Sequence, residues 1–126
     1  FNIYNTLNHW LMNIFVISND SFLAQEIITH FNSESHSIEI HENGLDVLSD
    51  IRDRIPDVII IDNECDGINP LVLNKILCRD GRFDETVFHF IAPKKIEDED
   101  NFNKANNITN LWIKPVNFEK MAASVS

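Results

Sequence analysis

The chain has 126 residues, enough for one domain built around a single core. Its composition is 44% hydrophobic and 10% aromatic, unlike that of disordered chains, and a formal net charge of -10 opposes binding to phosphate backbones or anionic lipid. Cys65 and Cys78 are too few and too far apart for a disulfide framework or a zinc site, so a reducing cytoplasm is the expected compartment.

No apolar run approaches the roughly 20 residues that cross a bilayer, and no membrane association is expected. Residues 1–11 are Asn-rich, lack a basic start, and read as a linker or upstream extension; residues 12–126 read as the domain. Asn13 to Ile17 is a short apolar run, and Phe22, Leu23, Ile27, Ile28 and Phe31 then recur at helical spacing. Ser37 to His41 alternates as a strand. Asn43-Gly44 follows, and Leu45, Val47, Leu48 and Ile51 form a second helical face closed before Pro56.

The run 57–61 is uninterrupted and mostly β-branched, which is the pattern of a strand covered on both faces, and it delivers Asp62 to its carboxyl end. Ligands of open α/β sheets sit at that edge. Leu71, Leu73, Ile76 and Leu77 give a third helix ending near Gly81, and 86–91 a fourth strand. A charged helix spans 97–105 and stops at Asn106-Asn107, where Asn can take the left-handed cap conformation. Leu111 to Ile113 form a fifth strand ended by Lys114-Pro115, and a final helix from Phe118 to Val125 looks cut short. Five βα units with short connections predict a doubly wound, flavodoxin-like parallel sheet in the order 2-1-3-4-5, with helices on both faces.

From about residue 13 onward the sequence resembles the receiver domain of two-component response regulators. The resemblance rests on Glu42-Asn43-Gly44-Leu45-Asp46-Val47-Leu48, on Pro56-Asp57-Val58-Ile59-Ile60-Ile61-Asp62, and on Leu111-Trp112-Ile113-Lys114-Pro115. It implies that Asp62 is the phosphoacceptor, that Lys114 balances phosphate charge, and that Pro115 follows a cis peptide bond. It further implies an acidic pair after the first strand that holds Mg²⁺ with the acceptor, a Thr or Ser ending the fourth strand, and an aromatic switch on the fifth.

Against that pattern the acidic pair falls on Ser18 and Asn19, leaving Asp20 as the nearby carboxylate. Asp62, the Asn19 amide and the backbone carbonyl of Glu64 would remain as Mg²⁺ ligands, so the expected metal site is weak and no other cofactor is expected. Ile91 and Leu111 stand where the hydroxyl and the aromatic belong. In the following loop Asp66 takes the usual proline place and Pro70 the usual glycine place.

Each of these residues also has a plainer role. Asp62 and Lys114 can be a structural ion pair, and Asp20 reads first as a helix N-cap. Trp112 reads as strand packing, with a partner anchor as the alternative; His89 reads as a satisfied sheet histidine, and Glu97-Asp98-Glu99-Asp100 as a solvated helix start.

The leading expectation is a non-enzymatic signalling module, a pseudo-receiver of a phosphorelay. It would act by protein–protein contact with a histidine kinase or another signalling protein, or as a homodimer through the face formed by the fourth helix, fifth strand and fifth helix. A receiver phosphorylated on Asp62 that controls an attached output domain is the first alternative. A flavodoxin-like enzyme or small-ligand binder is the second, disfavoured because the chain has only three glycines and no Gly-rich phosphate loop.

Overall fold

The computed structural model describes residues 12–31, 35–51 and 54–125, so the expected linker at 1–11 lies outside the described residues. In chain order the elements are β1 (Asn13–Ile17), α1 (Ser21–His30), β2 (Ser37–His41), α2 (Gly44–Asp50), β3 (Val58–Asp62) and α3 (Pro70–Cys78). A 3-10 turn (Gly81–Phe83), β4 (Val87–Ala92), α4 (Glu99–Asn106), β5 (Leu111–Ile113) and α5 (Phe118–Val125) complete them. All strand pairs are parallel, and the five-stranded sheet has the expected order β2-β1-β3-β4-β5.

Side chains alternate across each strand, so one apolar run feeds two cores. Phe15, Ile17, Ile59 and Ile61 pack with Val47, Leu73 and Leu77 of α2 and α3. Ile14, Val16, Val58 and Ile60 pack with Leu23 and Ile27 of α1 and Met121 of α5. Every residue of β3 is buried, and truncating Ile60 to Ala would cost about 2–5 kcal/mol.

Polar caps set where the helices begin. Asp20, Asn43 and Asn69 each accept from two backbone N–H groups of the following turn, and Pro70 occupies the first turn of α3, where its missing N–H has no helical partner to lose. The charged helix starts at Glu99 rather than at 97, because the Asp98 carboxylate accepts from Asn101 N and leaves Glu97 outside. Asn107 ends that helix at φ 57, in the left-handed region.

Strands β3 and β4 each lie one residue later than the sequence pattern suggested. Asp57 stays outside β3, its carboxylate accepting from Asn13 N at 2.8 Å; Thr86 stays outside β4, its hydroxyl donating to Pro56 O at 2.8 Å. The 3-10 turn was not anticipated. Asp80 caps it and pairs with Arg82, which holds Asp80 below the usual carboxylate range, and the turn buries Phe83. Among the described residues no helix is long and apolar enough to cross a membrane.

Candidate functional site

Strands β1 and β3 are neighbours, so their carboxyl ends place Ser18 beside Asp62, whereas Lys114 reaches back from beyond β5. Asp62 is fully buried. Burying a carboxylate is costly unless it is paired, and here Ser18 Oγ donates to Oδ2 at 2.7 Å while Lys114 Nζ lies 3.0 Å from Oδ1. Oδ1 makes no other contact with a donor among the described residues, so the Lys114 charge is what holds it. The Lys114–Pro115 peptide is cis, matching what the resemblance implied.

Asp20 has two functions at once. Its Oδ1 caps α1 by accepting from Phe22 N and Leu23 N at 3.1 Å each, and its Oδ2 lies 4.0 Å from Lys114 Nζ. Glu64 enters through its side chain, with Oε1 3.9 Å from the same ammonium. Oxygen atoms of Asp20, Asp62 and Glu64 all lie within 4.8 Å of one another. The Glu64 carboxylate was missed in the sequence. Its signal was position, two residues past Asp62 on the loop leaving the same sheet edge.

Two expected metal ligands take part in other hydrogen bonds. The Asn19 side-chain N–H donates to Asp66 Oδ1 at 2.9 Å, where Asp66 offers a full acceptor charge on the adjoining loop. The Glu64 carbonyl accepts from Asn19 N at 2.7 Å. Mg²⁺ demands near-octahedral oxygen ligands at about 2.1 Å. Three carboxylates are present, but the Lys114 ammonium stands within 4.0 Å of all of them, and Ser18 donates a hydrogen to the Asp62 oxygen that faces β1. Asp20, Asp62 and Glu64 are the residues that would hold a dication, and the Lys114 charge opposes one there.

Ile91 and Leu111, where the resemblance led to the expectation of a hydroxyl and an aromatic, lie in opposite core layers. Ile91 is fully buried with Ile14, Ile60 and Met121, and Leu111 packs against the layer that holds Phe90 and Phe102. Neither offers a polar atom to the site. Trp112 packs half-buried against the α1 and α5 layer and donates its indole N–H to His89 Nδ1 at 2.9 Å, so its observed contacts are internal. Burial, reinforced by the Asp62 and Asp66 carboxylates, pushes the Cys65 thiol up, which leaves little thiolate.

Gly67 supplies the left-handed residue of the loop after β3, at φ +85, where a Cβ would collide with the Asn43 side chain that caps α2. Pro70 therefore needs no glycine-like freedom. Beside the carboxylates runs an open groove of about 390 Å³, walled by Phe22, Leu23, Pro115, Val116 and Phe118 with Asp20 and Lys114 at its polar side.

No family model and no curated protein sequence matches the chain. Solved structures do match. The chemotaxis response regulator CheY4 of Vibrio cholerae superposes with a TM-score of 0.79 at 17% identity, over 92% of this chain and 99% of that one. The receiver domain of the Francisella response regulator 1452 gives 0.77 at 20% identity, over 90% and 93%. The signal receiver domain of a DNA binding response regulator from Colwellia psychrerythraea gives 0.76 at 18% identity, over 90% and 94%. The chain thus has the flavodoxin-like fold of response-regulator receiver domains, with Asp62 buried at the carboxyl edge of its central strand.

Proposed function

We propose that residues 12–126 are an atypical receiver domain of a two-component phosphorelay, a cytoplasmic, non-enzymatic signalling module that works by protein–protein contact with little or no phosphorylation of Asp62. The observation that carries this reading is the internal satisfaction of Asp62 by Ser18 and Lys114, together with a buried isoleucine at position 91. A phosphoryl group on Asp62 would find no hydroxyl from β4. A ligand shifts a conformational equilibrium only by its differential affinity for the two states, and here the differential contact is missing. The groove beside the site supports docking, since Phe22 at its edge is 70% exposed. A histidine kinase or another signalling protein is the partner class, and pairing of two copies through the face of α4, β5 and α5 is the homotypic form.

Phosphorylation at Asp62 is the competing reading, and the retained Asp62–Lys114 contact at 3.0 Å favours it. Intact-protein mass after incubation with a small phosphodonor and MgCl₂, with Asp62→Asn as control, separates the two. No added phosphoryl mass, alongside partner binding that survives Asp62→Asn, is expected. Stoichiometric modification abolished by Asp62→Asn would overturn the docking reading in favour of the phosphorylated one.

A further inference from the structure

We propose that Lys114 is the resident cation of this site: its ammonium occupies the centre of the Asp20, Asp62 and Glu64 carboxylates in place of a divalent ion, and only its withdrawal opens them to a metal. Nζ lies 3.0 Å from Asp62 Oδ1, 4.0 Å from Asp20 Oδ2 and 3.9 Å from Glu64 Oε1, and no other Lys or Arg pairs with these three among the described residues. The burial of Asp62 points the same way. Asp62 Oδ1 is fully buried, is aimed into the cluster, and has no hydrogen-bond donor among the described residues, so a charge at Nζ is what neutralises it.

The loops reinforce the exclusion. Of the further protein groups near these carboxylates, Asp62 Oδ2 accepts the Ser18 hydroxyl and the Asn19 side-chain N–H is held by Asp66, so a dication there would take most of its remaining oxygens from water. Asp20 Oδ1 is likewise committed to the first turn of α1, which leaves one oxygen of that carboxylate to face Lys114. Each carboxylate thus presents one oxygen to the ammonium. An ammonium tethered by the chain neutralises these oxygens without a full oxygen shell, whereas Mg²⁺ or Mn²⁺ would have to displace that charge and complete six oxygens with water.

Mn²⁺ binding measured by calorimetry on wild type, Lys114→Met and the double variant Lys114→Met/Asp62→Asn tests this directly. Wild type is expected to show no saturable Mn²⁺ binding. Lys114→Met is expected to bind Mn²⁺ saturably, at least about tenfold tighter than the weakest affinity at which the wild-type titration would have registered binding, and the double variant to lose that binding. Because Lys114→Met strands a buried carboxylate and can unfold, Mn²⁺ line broadening on the wild-type protein gives a second readout. The amides of Asn19, Asp20, Asn63 and Glu64 should then broaden no more than those of β2. Selective broadening of those amides in wild type, or a folded Lys114→Met with no gain, would overturn the proposal. Neither readout involves phosphoryl transfer, so each stands apart from the outcome of the mass experiment.

Discussion

The indole Nε1–H of Trp112 donates to His89 Nδ1 at 2.9 Å, tying β5 to β4 with the two rings 6.1 Å apart. Indole nitrogen only donates, so Nδ1 must be unprotonated and the neutral ring carries its hydrogen on Nε2, which meets no partner among the described residues. Protonation of Nδ1 would set two donors against each other. Burial already lowers the His89 pKa to about 4.

A depressed histidine pKa gives acid sensitivity with a definite sign. The unfolded chain takes up the proton near pH 6.5 and the folded one only near 4, so the contribution is complete above the first value and lost as pH falls through the second. The loss reaches at most about 3 kcal/mol. Urea unfolding at about pH 7 and about pH 4.5 should show a smaller difference in His89→Gln, whose amide oxygen can still accept from Trp112, than in wild type. Equal differences in the two proteins would assign the acid sensitivity to other groups.

Ser18→Ala removes the donor to Asp62 Oδ2 and leaves a buried carboxylate oxygen unmet. A stability loss of about 1–3 kcal/mol is expected. Lys114→Met should cost more, about 3–5 kcal/mol, because it leaves an uncompensated buried charge. Coupling Lys114→Met with Asp62→Asn should recover part of that loss, which a double-mutant cycle by chemical denaturation would measure.

Ile91→Thr places a hydroxyl one residue before the end of β4, but the position is fully buried among aliphatic side chains. It should destabilise by about 1–3 kcal/mol. In wild type, amide spectra with beryllofluoride should show no large shifts across β4 and β5; shifts abolished by Asp62→Asn would contradict the docking reading.

The three glycines separate by environment. Gly67→Ala places a Cβ against the Asn43 side chain at φ +85, and Gly44→Ala places one 2.6 Å from Ile68 Cγ2, so both should lower stability by more than about 1 kcal/mol. Gly81→Ala meets nothing within 4 Å and should change stability little. Thermal unfolding of the three variants checks the ranking.

Strand order, the two core layers and the place of Asp62 were legible from residue pattern, because a continuous β-branched run between helical faces admits few topologies. The absence of a hydroxyl at position 91 and of carboxylates at 18 and 19 could be read directly, since residue type alone decides which atoms a side chain offers. Neighbourhood could not. That Glu64 contributes its carboxylate, that Asn19 turns to Asp66, and that Asp20 both caps α1 and faces Lys114 depend on how two loops fold over one sheet edge. The pairing of His89 with Trp112 likewise joins residues 23 apart through strand register, which local periodicity does not encode. Local pattern sets which face a side chain leaves by; the charges it then meets are set by chain segments far away in sequence.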